Sequence, residues 1–220
     1  MIAKIAGISI ARLPDFGNYQ FFPMTIGILA IQGDYDAHKA VLERLGADVV
    51  LVRKPEQLDS IDAIIIPGGE SSTFLNFLEE RGFLEKLRDF VGTRPAFGTC
   101  AGAILLAKDV ENPPQISLGA LDIRIRRNAY GRQGDSSIRT EKTGLGDKPL
   151  EMVFIRAPKI VGTGPGVEVL VREGGDPVLV RQGRIMACTF HPELSDDTRV
   201  HEEFLRMVKT VKAKNGGPPK

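Results

Sequence analysis

The sequence predicts an α/β protein with a doubly wound, mostly parallel open sheet, flanking helices and an antiparallel, strand-rich C-terminal half. Two observations predict this fold. In residues 24–107, short and almost wholly apolar runs alternate with segments of helical periodicity, as expected for parallel strands buried between helices. In residues 119–190, strand-length runs follow one another without helices, and Gln182-Gly183 is a hairpin signal between two of them.

The first half alternates four strands with four helices. In the first helix the apolar residues recur on one face, and Gly46 is a stop signal. Those apolar residues are Ala37, Ala40, Val41 and Leu45. The predicted strands are Thr25–Ile31, Asp48–Val52, Ala63–Ile66 and Pro95–Gly98, and the predicted helices are Asp36–Leu45, Ser72–Glu80, Phe83–Val91 and Ala103–Ala107. Functional sites of such sheets form at the carboxyl ends of strands, here after Ile31, Ile66 and Gly98.

The second half is mostly strand and ends in an amphipathic helix over about Thr198 to Val211. Its predicted strands are Leu121–Arg126, Met152–Ile155, Val167–Val171, Val178–Arg181 and Ile185–Phe190. We expect residues 24–211 to form a single domain. Residues 1–23 are expected to be a poorly ordered N-terminal extension, and residues 212–220, with two Gly and two Pro, a flexible tail.

Composition excludes several classes of protein. A chain of 220 residues with 42% hydrophobic residues can bury one substantial core. With a net charge of +1, the chain lacks the strong positive charge typical of proteins that bind nucleic acid or an anionic membrane, so neither partner is expected. The apolar run Ile5–Ala11 is too short to span a bilayer.

Cysteine and histidine usage points to a protein without disulfides or metal. Two cysteines fit a reducing compartment, and we expect a cytoplasmic protein. The three histidines are scattered and form no cluster with zinc spacing, so we predict neither a metal nor a cofactor. Of the two cysteines, Cys188 lies inside a predicted strand and is expected to belong to the core. His38 and His201 fall on predicted helices and are expected to be surface or packing residues.

Cys100 lies between small residues where a strand gives way to a helix, in the sequence Gly98-Thr99-Cys100-Ala101-Gly102. This is the pattern of a nucleophile elbow, a tight turn that needs glycines and exposes the nucleophile at the edge of the sheet. A thiol at a helix N-terminus is also biased toward the thiolate. The alternative is a buried structural cysteine.

His191-Pro192-Glu193 ends the last predicted strand. A histidine there can act as general base, and a carboxylate two residues later can fix its tautomer and stabilise the imidazolium. The alternative is a surface turn in which Pro192 sets the backbone and Glu193 is solvated.

The third candidate is the turn Pro67–Ser72, which follows the third strand and begins Pro-Gly-Gly. Gly68 and Gly69 allow backbone N–H groups to face a ligand, so they could form an oxyanion hole together with the N–H of Ala101. A phosphate-binding loop is disfavoured, since neither G-x-x-x-x-G-K-[ST] nor G-x-G-x-x-G is present. A plain helix start capped by Ser71 or Ser72 is the remaining alternative.

The combination resembles a known family. Gly98–Gly102 with His191–Glu193 is similar to the class I (triad) glutamine amidotransferases. More narrowly, four further motifs resemble the glutaminase-subunit (PdxT/SNO) family of pyridoxal 5'-phosphate synthase, and the similarity extends from Met24 to about Val208. These motifs are Ala30-Ile31-Gln32-Gly33, Arg53-Lys54-Pro55-Glu56-Gln57-Leu58, Pro67-Gly68-Gly69-Glu70-Ser71 and Arg127-Asn128-Ala129-Tyr130-Gly131-Arg132-Gln133. The chain departs from the family in its extension before Met24 and at Gly134–Ile138.

This resemblance implies a glutaminase with a Cys-His-Glu triad that needs no cofactor. Cys100 would be the nucleophile, His191 the general base and acid, and Glu193 the residue that orients it. The implied L-glutamine-binding residues are Gly69, Glu70, Ser71, Arg127, Ile155 and Arg156, and the implied oxyanion N–H donors are Gly68 or Gly69 with Ala101. Arg127 should enter the site alone, because Arg124 and Arg126 fall on the opposite face of their strand.

The resemblance also implies a partner, the synthase subunit of a hetero-oligomeric complex, which would receive the ammonia and activate the glutaminase on docking. Two alternatives remain at this stage. One is the glutaminase subunit of another biosynthetic complex, such as the imidazole glycerol phosphate or anthranilate type, which the Arg127–Gln133 motif disfavours. The other is a non-catalytic interaction subunit of the same fold, which the intact Cys-His-Glu set disfavours.

Overall fold

The computed structural model describes residues 24–129 and 136–215, and the predicted extension over residues 1–23 lies outside this part. The strands are β1 (Thr25–Leu29), β2 (Asp48–Val52), β3 (Ala63–Ile66), β4 (Ala96–Thr99), β5 (Ala107–Glu111), β6 (Leu121–Arg126), β7 (Ser137–Thr143), β8 (Gly146–Phe154), β9 (Lys159–Thr163), β10 (Glu168–Glu173), β11 (Asp176–Gln182) and β12 (Ile185–Cys188). The helices are α1 (Tyr35–Arg44), α2 (Ser71–Glu80), α3 (Phe83–Thr93), α4 (Ala101–Leu106) and α5 (Arg199–Asn215), with short 3₁₀ turns at Pro55–Ser60 and Pro192–Leu194.

Within the described residues, a seven-stranded sheet forms the middle layer. Its strands lie in the order β10-β11-β12-β4-β3-β1-β2. The five strands from β12 to β2 are parallel, and β10 and β11 add an antiparallel edge. The chain between β4 and β10 forms a three-stranded sheet (β5-β6-β9) and the β7-β8 hairpin. The predicted mixed sheet, parallel in the first half and antiparallel later, is confirmed.

The central sheet is apolar on both faces because successive side chains of a strand point to opposite sides. In β3, Ile64 and Ile66 pack with α2, α3 and α4, whereas Ala63 and Ile65 pack with α1 and α5. This explains why β3 is a continuous apolar run rather than an alternating one. The result is a three-layer α/β/α arrangement.

Several predicted bounds are confirmed and others shift by a few residues. β2, β3 and β6 have the predicted bounds, and the Gln182-Gly183 hairpin joins β11 to β12. The helix after Cys100 begins earlier than predicted, at Ala101, and Ala107 already belongs to β5. α5 continues to Asn215, so residues 212–215 of the predicted tail are helical, and residues 216–220 lie outside the described part.

Sequence reasoning missed β5, β7 and β9 and shortened β8. β7 shows why: along Ser137–Thr143 its residues alternate between half-buried and exposed, and its sequence SIRTEKT has no apolar run. It is stabilised by pairing with β8, whose Leu150, Met152 and Phe154 are buried. A strand whose stability comes from its partner leaves little periodic signal of its own.

None of the helices within residues 24–129 and 136–215 is long and apolar enough to cross a membrane.

The approach of α4 to β3 requires glycine at position 102. A Cβ on Gly102 would lie 1.9 Å from the carbonyl oxygen of Ile66, which is less than van der Waals contact. Because the obstacle is backbone, it cannot rotate out of the way as a side chain could. Gly102 therefore sets how closely the helix after Cys100 packs on the sheet.

We expect Gly102→Ala to lower the free energy of unfolding by about 1–3 kcal/mol, the usual cost of overpacking a core. Gly92→Ala is the matched control: Gly92 lies in α3, and an added Cβ there meets nothing within 4 Å. Removing that glycine should leave stability unchanged or raise it by up to about 1 kcal/mol. Urea denaturation measures both, and equal stabilities would contradict the proposed close contact.

Candidate active site

The turns after β1, β3, β4 and β12 lie at one edge of the central sheet, because these strands are parallel neighbours. The three strand ends singled out from the sequence are therefore adjacent, and the end of β12, which leads into His191, joins them. Residues 34, 68, 100 and 191, scattered along the chain, meet at this edge.

Cys100 occupies a strained turn between β4 and α4. Its backbone has φ 50° and ψ −104°, a combination that non-glycine residues rarely adopt. The N–H of Cys100 donates to the carbonyl of Cys188 (2.9 Å), and the sulfur lies 4.0 Å from the carbonyl oxygen of Ile155. Only 6% of Cys100 is exposed. The strained strand-to-helix turn of the predicted elbow is present, but the thiol is buried rather than exposed.

Close backbone packing explains the two glycines of the elbow. A Cβ on Gly98 would lie 2.5 Å from the backbone of Gly102, just as one on Gly102 would strike Ile66. The turn can fold this tightly only with glycine at both positions. The sequence pattern around Cys100 is thus a requirement of the backbone.

His191 links Cys100 to Glu193. Its Nδ1 lies 2.7 Å from Oε1 of Glu193, and both side chains are buried. The imidazole and the Cys100 side chain both border Gly68, and their interaction is among the causes that raise the pKa of His191. Because Glu193 engages Nδ1, Nε2 is the nitrogen available to the sulfur. The backbone N–H of His191 donates to the carbonyl of Val153 (2.8 Å), which ties the turn to β8. The surface-turn alternative for this segment is therefore wrong.

The electrostatics of the row formed by Cys100, His191 and Glu193 favour a protonated imidazole. Burial alone would lower the pKa of His191, but its hydrogen bonds with Cys100 and Glu193 raise the pKa to about 10. Burial alone would raise the pKa of Glu193, but its interactions with His38 and His191 lower it. At neutral pH an imidazolium therefore lies between a carboxylate and the sulfur of Cys100, an arrangement that stabilises a thiolate.

Gly68 leaves the space that the imidazole fills. A Cβ at this position would lie 2.5 Å from Cε1 of His191 and 3.5 Å from Cβ of Cys100. The backbone of Gly68 is itself covered by Gly33, whose added Cβ would lie 1.9 Å from the Gly68 carbonyl oxygen. The Gly68 turn therefore packs directly on the Cys100–His191 pair, and the Gly33 turn packs against the Gly68 turn.

Glu70, Ser72 and Arg127 form a polar cluster next to these turns, whereas the hydroxyl of the predicted Ser71 donates to Oε1 of Gln115 (3.1 Å). The carboxylate of Glu70 caps α2 by accepting from the N–H groups of Ser72 (3.1 Å) and Thr73 (2.7 Å). Partial burial would raise the pKa of Glu70, but these hydrogen bonds lower it. The guanidinium of Arg127 donates to Glu70 (3.2 Å) and to the Ser72 hydroxyl (2.7 Å). Glu70, not Ser71 or Ser72, is thus the cap of α2.

The predicted orientation of the arginines on β6 is confirmed: Arg127 is buried, whereas Arg124 and Arg126 are exposed. Ile155 comes close to the sulfur of Cys100 through its carbonyl, and Arg156 follows it at φ 46° with an exposed side chain. Of the remaining predicted site residues, Gly69 has a φ of 138°, and Ala101 is the first residue of α4.

Sequence reasoning did not place His38 and His201 at the site. They were expected to be surface or packing residues, and both are completely buried, so the packing alternative is confirmed and the surface alternative is wrong. His38 approaches Glu193, with Nε2 3.4 Å from Oε2, and it contacts His201 and Thr99. A signal existed for His38: it precedes the buried Val41 and Leu42 by three and four residues, which places it on the core face of α1. Cys188 is completely buried, and its predicted place in the core is confirmed.

One group of described residues has the spacing of metal ligands: Asp34, His191 and Glu193 have ligand atoms within 4.8 Å of one another. Asp34 is exposed, and Glu193 is already hydrogen-bonded to His191. Since His191 carries its proton at neutral pH, the group suits proton transfer better than coordination. The absence of a metal or cofactor stays a prediction.

Comparisons with known proteins agree on one family. The sequence model of the SNO glutamine amidotransferase family matches residues 28–210. The chain is 66% identical over 186 residues to the pyridoxal 5'-phosphate synthase subunit PdxT of Koribacter versatilis, an alignment that covers 84% of this chain and 96% of that protein. It is 52% identical over 188 residues to the protein of the same name in Thermotoga petrophila, covering 84% and 100%.

A solved structure shows the same fold. This crystal structure of a glutamine amidotransferase superposes with a TM-score of 0.78 at 46% identity. The superposition covers 84% of this chain and 98% of that one, so nearly the whole of the solved chain has its counterpart here.

The buried histidines predict that acid destabilises the protein. Burial, aided by His38, lowers the pKa of His201 from 6.5 to about 3, so the unfolded chain binds a proton there that the folded chain does not. Stability is therefore lost as pH falls below about 6.5, by roughly 1 kcal/mol at pH 5.5 from this group. His38, whose pKa burial also lowers, acts in the same direction.

Urea denaturation between pH 7.5 and 5 checks this expectation. His201→Gln retains a donor near the position of Nε2 but has no titrating group, so the unfolding free energy of this variant should decline less steeply with acid. Parallel curves for the two proteins would show that His201 is not the buried neutral group inferred here.

Proposed function

Because the chain belongs to the SNO glutamine amidotransferase family, we propose that it hydrolyses L-glutamine to L-glutamate and ammonia as the glutaminase subunit of a pyridoxal 5'-phosphate synthase. The ammonia supplies vitamin B6 synthesis. One observation of the site carries the chemistry: the buried His191 is hydrogen-bonded to Glu193 and packs beside Cys100 against Gly68. Amide hydrolysis through a thioester needs this row of nucleophile, proton carrier and orienting carboxylate.

In the first half of the reaction, the thiolate of Cys100 attacks the side-chain amide carbon of glutamine. A C–S bond forms, and the carbonyl electrons move to oxygen. The imidazolium of His191 then gives its proton to the amide nitrogen, the C–N bond breaks and ammonia departs. The product is a γ-glutamyl thioester on Cys100, with a neutral His191 beside it.

In the second half, neutral His191 takes a proton from water, and the hydroxide attacks the thioester carbon. The C–S bond breaks, glutamate leaves and the thiolate–imidazolium pair is restored. Glu193 keeps Nδ1 protonated throughout, because its carboxylate accepts from that nitrogen at 2.7 Å. The ring therefore exchanges protons only at Nε2.

Backbone N–H groups are proposed to stabilise the oxyanion of both tetrahedral intermediates. Ala101 is the first residue of α4, so its N–H has no acceptor within the helix. Gly68 or Gly69 would provide the second donor, since both belong to the turn that packs on Cys100 and His191. The absence of a side chain at Gly68 lets this turn approach His191 and Cys100 closely.

Glu70, Ser71 and Arg127 are proposed to bind the amino acid end of glutamine, with Gly69, Ile155 and Arg156 completing the pocket. The α-ammonium and α-carboxylate of glutamine carry opposite charges. Glu70 and Arg127, paired at 3.2 Å, present the two complementary charges side by side. The strained turn at Ile155-Arg156 borders Cys100 through the Ile155 carbonyl.

The partner is proposed to be the synthase subunit, which receives ammonia directly, in a hetero-oligomeric complex located in the cytoplasm. Support comes from the relatives, which are themselves called subunits of pyridoxal 5'-phosphate synthase. The same names weigh against the glutaminase of another biosynthetic complex. The Cys100–His191–Glu193 row weighs against a non-catalytic subunit.

Replacing the nucleophile tests the reaction. Cys100→Ala should reduce release of glutamate and ammonia from glutamine by at least about a thousandfold, because no thioester can form. Cys188→Ala is the control, because it removes the other cysteine of the chain. Cys188 is buried in β12, where it pairs with Thr99 of β4. Retained activity in Cys100→Ala, or equal losses in both variants, would exclude Cys100 as the nucleophile.

The second prediction concerns activation. Adding the synthase subunit of the same organism should raise glutaminase activity, since docking can shift the active-site turns toward the productive conformation. The rise should be absent with Cys100→Ala, which controls for contaminating glutaminase. Unchanged activity at saturating synthase would contradict coupling while leaving glutamine hydrolysis itself intact.

A further inference from the structure

A pair of histidines lies directly behind the proposed triad and takes no part in the reaction steps described above. His38, on α1, and His201, on α5, are 0% exposed. Nδ1 of His38 is 2.9 Å from Nε2 of His201. Nε2 of His38 is 3.2 Å from the hydroxyl of Thr99 and 3.4 Å from Oε2 of Glu193.

The surroundings determine which nitrogens carry protons. Within the described residues, Nδ1 of His201 is buried without a hydrogen-bond partner. If that nitrogen bore a proton, a buried donor would be left unpaired, and Nε2 of His38 would turn a lone pair toward the carboxylate of Glu193. The opposite assignment leaves only an acceptor unpaired, so it is favoured. His201 therefore donates from Nε2 to Nδ1 of His38, and His38 donates from Nε2.

The donor of His38 faces a carboxylate oxygen that needs one. Oε1 of Glu193 accepts from His191, whereas Oε2 is buried and meets no full hydrogen bond among the residues that the structure describes. A buried carboxylate oxygen without a nearby donor is costly. Nε2–H of His38 donates to the Thr99 hydroxyl at 3.2 Å and also lies 3.4 Å from this oxygen, so its partial positive charge compensates the carboxylate.

His38 also joins the ends of two strands. Thr99 is the last residue of β4 and precedes Cys100, whereas Glu193 follows β12. By contacting both side chains, His38 fixes the carboxylate relative to the strand end that carries the nucleophile. Phe97 packs its ring edge-on against both histidines, which limits their movement.

We propose that His38 is a positioning residue of the glutaminase reaction: its Nε2–H, shared between the Thr99 hydroxyl and the second oxygen of Glu193, keeps that carboxylate in place, and His201 fixes the tautomer of His38. The inference rests on the proposed function. His38 is completely buried and cannot touch the substrate, so it acts through Glu193 on the orientation of His191. Its loss should lower kcat and leave KM nearly unchanged.

Two substitutions at position 38 separate positioning from packing. His38→Leu fills the space without a donor and should lower kcat about ten- to a hundredfold, the worth of a hydrogen bond to a charged group, with KM changed less than about twofold. His38→Gln restores an N–H near Nε2 and should recover kcat to within about fivefold of wild type. Both are assayed with glutamine in the presence of the synthase subunit.

Leu42→Ala is the packing control, because Leu42 is buried one turn further along the same face of α1. It should lower stability and leave kcat within about twofold of wild type, since it leaves the donor in place. Equal kcat for His38→Leu and His38→Gln would overturn the proposal. A loss of kcat in Leu42→Ala as large as that in His38→Leu would do the same, because it would reduce His38 to a packing residue.

A second experiment measures the reactivity of the Cys100 thiol instead of turnover, and it leaves His38 unchanged. His201→Leu removes the donor that fixes the tautomer of His38, whereas His201→Gln keeps one. At pH 7 iodoacetamide should alkylate Cys100 several-fold more slowly in His201→Leu than in His201→Gln, and equal rates would overturn the proposed role of His201. If wild type alkylates rapidly but releases no ammonia from glutamine, the proposed function fails, while this test of the two histidines still stands.

Discussion

The parallel pairing of β4 with β12 is the constraint on which the site depends. It places Thr99 opposite Cys188, so that the chain leaves both strands at the same edge of the sheet. Cys100 follows one strand and His191 the other, which brings together two residues far apart in sequence. Continuous apolar side chains on both faces of the sheet fix that pairing, because a shifted register would misplace every buried residue.

Close packing fixes the positions of Cys100 and His191, which the proposed chemistry requires to be well defined. The positive φ of Cys100 is maintained by glycines at 98 and 102, whose close backbone contacts leave no room for relaxation. The imidazole of His191 packs against the backbone of Gly68, where a Cβ would lie 2.5 Å from its Cε1. Strain of this kind costs stability locally and is compensated by the core beneath it.

Charge is organised in layers around the sheet edge. Nearest the sulfur lies the imidazolium of His191, then the carboxylate of Glu193, then two neutral histidines in the core between α1 and α5. The same burial that lowers the pKa of His38 and His201 leaves them as uncharged hydrogen-bonding groups. Neutral donors can hold the buried carboxylate without adding a further buried charge to the imidazolium and carboxylate already present, and a further charge would cost more in desolvation.

Local pattern alone predicted the α/β class, most first-half elements and the strand ends where Cys100 and His191 lie, since apolar runs and glycine turns are properties of short segments. It could not supply β7, whose polar strand is stabilised by its partner, or the contact between His38 and His201. The apolar face of α1 indicates that His38 is buried, but the side chains it meets depend on how the helix docks. Only the tertiary structure placed α1 and α5 together behind Glu193, because contacts between distant segments are set by how the layers pack.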